Sequence, residues 1–164
     1  MTVLTMAKAL NLGLRRAMER DAKVILIGED IGRLGGVFRI TDGLQKDFGE
    51  HRVIDAPLAE SGIVGVAVGM AMRGYRPVVE IQFDGFVYPA FDHIVSQVAK
   101  LRARSLGHVP MPLVIRIPFG GGIGAVRPLV DARVCVDVLV REVDQVLLRR
   151  LLEDARQCFR LVRA

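Results

Sequence analysis

At 164 residues the chain has the length of one domain, and with 51% hydrophobic residues it can bury a proper core. Its formal charge of +5 suits an acidic partner, but the Lys and Arg are scattered, with no dense basic run and no aromatic-interleaved motif, which argues against nucleic acid. The two cysteines, Cys135 and Cys158, give neither a disulfide framework nor a zinc spacing; the longest apolar run, Gly62 to Met72, is too short to span a membrane, and the N-terminus lacks a signal-peptide pattern, so a cytoplasmic address is expected.

In chain order, Thr5 can cap a helix running through Arg20, with Leu10, Leu14 and Ala17 on one face. Val24-Ile25-Leu26-Ile27 is a continuous apolar run, as expected of a strand covered on both faces, and it ends in Gly28-Glu29-Asp30. Two acids past the C-terminal end of a buried strand sit where open α/β sheets place their ligands, or else they begin a solvated loop. Gly35-Gly36 marks a tight or mobile loop. Thr41 can cap a short helix ending near Phe48-Gly49, and Val53-Ile54 is a short strand. A helix from Ala59 or Glu60 to Arg73 ends naturally at Gly74. Val78 to Phe83 reads as the next strand. Pro89 to about Arg104 reads as a helix with Phe91, Ile94, Val95, Val98 and Leu101 on one face, and Leu113 to Ile117 as a strand followed by the glycine loop Phe119–Gly124. Strands alternating with helices imply an α/β fold, a parallel sheet with helices on both faces.

Several motifs admit a plain reading beside a functional one. Gly65 and Gly69 form a GxxxG inside a helix, where Gly costs about 1 kcal/mol against Ala; close packing on the domain's own sheet or close approach of a partner's helix would compensate. The Phe119–Gly124 loop fits neither dinucleotide nor P-loop spacing. His51, His93 and His108 lack metal-ligand spacing, and no nucleophile motif is present. Glu60, at the start of a helix just past a strand end, is either an ordinary first-turn acid stabilised by the helix dipole or an acid with a specific partner.

The stretch DAPLAESGIVGVAVGMAMRGYRPVVEIQFDGFVYPAFDHIVSQVAK, with GED near the start and MPLVIRIPFGGGIGAV later, closely resembles the beta subunit of the thiamine diphosphate-dependent 2-oxo acid dehydrogenases, over about residues 4 to 126. The resemblance implies a transketolase-type pyrimidine-binding domain over residues 1–126. It implies that Glu60 hydrogen-bonds the aminopyrimidine ring nitrogen and thereby activates the cofactor, chemistry that suits a carboxyl in an apolar site. A 2-oxo acid then loses carbon dioxide and its acyl group passes to a lipoyl arm of the acyltransferase core. Phe86 matches the aromatic that stacks on the pyrimidine, and Leu58 and Gln82 match residues lining the pocket. Glu29 matches an acid on the path between two active sites. Leu113 and Val114 match backbone positions around a monovalent cation. The chain lacks the Gly-Asp-Gly motif that holds magnesium and the diphosphate, which the resemblance places on an alpha subunit; an alpha subunit and a second beta subunit are therefore the implied partners. Residues 80–83 and 89–92 lean toward the branched-chain type, with pyruvate as the other implied substrate. A transketolase-like or deoxyxylulose phosphate synthase domain would show Gly-Asp-Gly upstream, and none is present.

Past Val126 the sequence departs from the family, which continues Glu-His-His-Ser where Arg127-Pro128-Leu129-Val130 stands. All 17 glycines precede this point, and residues 127–164 are rich in Arg, Val and Leu without Gly or Lys. That tail could form a strand near Val134 to Val140 and an amphipathic helix with Val146, Leu147, Leu151 and Leu152 on its apolar side. Pro-Leu-Val before Asp can be encoded CCA-CTC-GTC-G, which one base later reads His-Ser-Ser, a coding compatible with either an out-of-frame tail or a genuine one. The chain alone is then expected to be inactive. The alternative function is a non-catalytic truncated remnant that at most binds an alpha subunit.

Overall fold

A computed structural model of the chain describes residues 4–118, which form four parallel strands with helices packed on both faces. The first helix, α1 (Met6–Arg20), opens as expected: the Thr5 hydroxyl accepts the Lys8 backbone N–H at 3.4 Å. Strand β1 (Val24–Gly28) is buried along its whole length, because it lies at the centre of the sheet. The short α2 (Leu44–Phe48) starts after Gly43, whose φ of 75° is left-handed. Thr41 does not cap it; its buried hydroxyl donates instead to the Ile31 carbonyl at 2.7 Å, closing the loop that leaves β1.

Strand β2 (Val53–Asp55) leads to α3 (Glu60–Met72). That helix ends where Gly74 predicts. Gly74 adopts φ 85°, its N–H donates to the Ala71 carbonyl at 2.9 Å, and the Tyr75 N–H reaches the Met70 carbonyl at 3.0 Å, the paired bonds of a Schellman terminus. Strand β3 is Arg76–Glu80, earlier and shorter at its end than the expected Val78 to Phe83. It accommodates Pro77 because the Arg76 N–H on one side bonds Lys23 of β1's flank, while the missing Pro77 N–H would face the other side, where pairing with the next strand begins only at Val78.

The expected helix from Pro89 to Arg104 is broken. α4 (Tyr88–Asp92) passes into a π-helical turn (His93–Val98), in which the Ala99 N–H reaches the Ile94 carbonyl at 2.9 Å, and a separate short α5 (Leu101–Arg104) follows. The wider winding shifts the buried face to Ala90, Ile94 and Val98, leaving Phe91, Val95 and Leu101 only partly covered. β4 is Val114–Arg116, the core of the expected Leu113 to Ile117. The Phe119–Gly124 loop and the expected strand and helix of the tail lie outside the described residues.

The sheet order is β2-β1-β3-β4, all parallel. Alternate residues of β1 serve opposite layers. Val24 and Leu26 join Leu14, Met18 and Leu44 beneath α1 and α2, and Ile27 joins Ile63, Val64, Ala67 and Val98 beneath α3 and the π turn. Each fully buried Leu, Ile or Val here contributes roughly 1.5–3 kcal/mol. The chain passes from β1 outward to β2, then crosses back to β3 on β1's other side. The crevice at the carboxyl ends of β1 and β3 is therefore the topological switch point, where such sheets bind ligands.

Candidate functional site

Three acids converge at that switch point. Glu29 follows the last residue of β1 and is only 7% exposed. Asp30, next to it, takes a left-handed φ of 55°, a conformation Asp tolerates. Glu60 is the first residue of α3 and is 8% exposed. The Glu29 carboxyl is pushed above its ordinary value of 4.5, first by burial, then by the charges of Glu60 and Asp30; the Ala59 backbone N–H, which donates toward it, acts in the opposite direction. Its Oε1 atom is buried with no hydrogen-bond partner among the described residues. Two acids 31 positions apart in sequence are brought together against burial and mutual repulsion, because β2, which leads into α3, pairs in parallel with β1.

The remaining expected residues are placed unequally. Gln82 lies past the end of β3 and donates its side-chain amide to the Asp30 carboxylate at 3.0 Å, tying the β3 loop to the β1 loop. Phe86 sits in a tight turn (Asp84–Phe86) and is 42% exposed, its ring edge-on to Phe83 with centroids 5.6 Å apart. Leu58, on the approach to α3, is 77% exposed. Leu113 and Val114 stand at the start of β4, away from its carboxyl end; Leu113 is fully buried, and the structure does not bring them to the acids. The described residues hold no cluster of His, Cys, Asp or Glu suited to a metal ion. A cleft of about 490 Å³ lies elsewhere, lined by Thr5, Lys8, Asn11, Arg39 and Asp42, and none of the acids at the switch point borders it.

One functional-looking pair escaped the sequence reading. Glu80, the last residue of β3, is 4% exposed and ion-paired with Arg116 of β4, with which it is in register. Burial lowers Arg116 to about 10, still well within its charged range at neutral pH. The signal was present as two charges at the ends of otherwise apolar strands; only their register reveals them as partners.

Chemically, the switch point offers a buried carboxylate oxygen in want of a donor and a second acid beside it at a helix N-terminus, while an aromatic ring after β3 and an apolar side chain on the approach to α3 keep free surface. That set fits a flat heterocycle carrying ring nitrogens, with a carboxyl to share a proton and apolar groups to lie against its faces.

Comparison with known proteins gives the same direction. Residues 2–126 match the family described as "Transketolase, pyrimidine binding domain". The chain is 66% identical over 124 residues to the pyruvate dehydrogenase E1 component subunit beta of Leifsonia xyli, covering 76% of this chain and 37% of that protein. It is 56% identical over 123 residues to the protein of the same name from Staphylococcus epidermidis, covering 75% of this chain and 38% of that one. It is 57% identical over 122 residues to the 3-methyl-2-oxobutanoate dehydrogenase subunit beta of Mycobacterium tuberculosis, covering 74% of this chain and 35% of that protein. The chain thus spans little more than a third of the length of the curated relatives it matches. No helix among the described residues is long and apolar enough to cross a membrane.

Proposed function

The chain belongs to the family of transketolase pyrimidine-binding domains, and from that premise we propose that it is the pyrimidine-binding part of the beta subunit of a thiamine diphosphate-dependent 2-oxo acid dehydrogenase. The observation that carries the reading is the buried Glu29–Glu60 pair at the switch point, with one carboxylate oxygen lacking a donor. When bound, thiamine diphosphate supplies the carbon nucleophile and the electron sink for decarboxylation. This chain's residues would hold it. Glu60 would hydrogen-bond the pyrimidine ring nitrogen. Glu29, whose charge the pair disfavours, is suited to pass or retain that proton. Phe86 would lie against the ring, and Leu58 and Gln82 would complete the pocket.

The domain carries no diphosphate clamp of its own in this reading. An alpha subunit supplies it together with magnesium, a second beta subunit completes the assembly, and a lipoyl acyltransferase core takes the acyl group. Leu113 and Val114 would offer backbone carbonyls to a monovalent cation. The substrate class is a small 2-oxo acid, pyruvate or a branched-chain one, in keeping with the names of both sets of relatives.

The test is co-expression of the full chain with an alpha subunit, co-purification, and calorimetric titration with thiamine diphosphate. Glu60→Gln is expected to weaken binding by about 10- to 100-fold, the range for loss of a charge-assisted hydrogen bond. Equal binding by the variant and the parent would overturn the assignment of Glu60. The chain with its alpha subunit is expected to show no 2-oxo acid decarboxylation, because Arg127-Pro128-Leu129-Val130 stands where the family continues Glu-His-His-Ser; detectable turnover would refute that expectation.

A further inference from the structure

Two loops frame the switch point, one leaving β1 and one leaving β3, and side chains bind them together at two places. The first is the Gln82–Asp30 hydrogen bond at 3.0 Å. The second is a row of three rings: Phe38 from the β1 loop stands edge-on to Phe83 at 5.9 Å and 70°, and Phe83 stands edge-on to Phe86 at 5.6 Å and 88°. Phe83 is the shared middle member. Edge-to-face pairs at these separations are attractive and directional, so each ring constrains the tilt of the next.

The Phe38 end of the row is held by a built loop. The Gly36 N–H donates to the Asp30 carbonyl at 2.8 Å and the Thr41 N–H to the Gly35 carbonyl at 3.1 Å, while Ile31, Ile40 and Thr41 anchor the loop in the interior. Gly36, at φ 77°, lies so close to the buried Glu80–Arg116 pair that an added Cβ would sit 3.3 Å from Glu80 Oε1. Phe38 nevertheless keeps 41% of its surface exposed, so the interior does not require its ring.

We infer that Phe38 and Phe83 are positioning residues for the Phe86 ring, with the Asp30–Gln82 bridge holding the two loops in register. The inference rests on the proposed function only in saying what Phe86 meets; the coupling of the rings is a property of the chain itself. It predicts that the two loops order Phe86 before any ligand arrives and that the resulting gain appears in binding.

The experiment has one arm without ligand and one with it. In the full chain labelled with 4-fluorophenylalanine, the Phe86 resonance is assigned from Phe86→Leu. Phe38→Leu is expected to shift and narrow that resonance, as the ring gains rotational freedom, with Phe38→Tyr restoring it. Asp30→Asn is expected to move it less. A Phe86 resonance unmoved by Phe38→Leu overturns the inference. In the second arm, the chain paired with an alpha subunit is titrated with thiamine diphosphate. Phe38→Leu is expected to weaken binding by about 2- to 10-fold, the value of one aromatic edge contact, with Phe38→Tyr close to the parent. If the parent binds and Phe38→Leu binds equally, the positioning role fails. If the resonance shifts but the parent binds no thiamine diphosphate, the functional reading fails and the ring coupling stands.

Discussion

Glu29, at the end of β1, lies close enough to Glu60, in the first turn of α3, that burial first and then the Glu60 charge oppose ionisation of the Glu29 carboxyl. Because the folded state holds the Glu29 proton more tightly than the unfolded chain does, unfolding releases protons above the ordinary value of 4.5. Stability from this group is therefore fully present below 4.5 and is lost as pH rises through the raised folded value. Glu29→Gln removes that loss. It is expected to raise the Tm at pH 7 relative to the parent and to leave it nearly unchanged at pH 4, as read by thermal unfolding at the two pH values. A variant less stable at pH 7 than at pH 4, relative to the parent, would contradict the sign.

The Glu80–Arg116 pair makes the opposite case, in which opposite charges satisfy each other in the interior. Removing one partner leaves the other buried and unpaired. Glu80→Gln or Arg116→Met alone is expected to cost roughly 3–5 kcal/mol, whereas the two together should cost distinctly less than the sum of the singles. Denaturant unfolding of the four members of the cycle measures the coupling. Additive losses would mean that the pair is held apart by water in solution.

Much of the fold follows from local pattern. The unbroken apolar run Val24 to Ile27 reads as a strand covered on both faces, which β1 is, and Gly74 marked the end of α3 because the backbone there needs a left-handed residue. What escaped depends on contacts between distant residues. Thr41 looked like a cap but its hydroxyl found Ile31 across the loop. The π turn at His93–Val98 changes which residues of the segment are buried, a change that residue spacing, read as a regular helix, does not show. At the site, Glu60 was conspicuous in its own stretch, and Glu29 at its strand end. Their adjacency rests on β2 pairing with β1, Gln82's grip on Asp30 on β3 pairing with β1, and the Glu80–Arg116 pair on β4 pairing with β3, so all three required the sheet order.

Glycines with left-handed backbones differ in what surrounds them. Gly74 has φ 85°, and an added Cβ would meet only the Lys23 amine, 3.9 Å away. Gly74→Ala should therefore cost only the conformational strain, about 1 kcal/mol. Gly35 has φ 81°, and its Cβ would lie 2.7 Å from the Asp42 Cα. Gly35→Ala adds a backbone clash that no side-chain rotation relieves, so it should destabilise the chain clearly more than Gly74→Ala in the same unfolding measurement. Equal losses would show that the loop from Asp30 to Asp42 relaxes freely.

The helical glycines Gly65 and Gly69 are a different matter, since neither has a left-handed backbone. A Cβ at Gly65 would touch the His93 ring at 3.8 Å, an ordinary contact, and one at Gly69 would meet nothing within 4 Å among the described residues. Close packing on the domain's own sheet thus does not demand glycine at either position. Inside a helix Ala is favoured over Gly by about 1 kcal/mol through backbone entropy. Gly69→Ala is accordingly expected to raise the stability of the chain by that amount, with Gly65→Ala gaining no more because its methyl must share space with His93. Denaturant midpoints at unchanged m-value measure both. A loss at Gly69 would show that the α3 surface is already covered in solution, and repeating the titration across a range of protein concentrations would tell whether a second copy is what covers it.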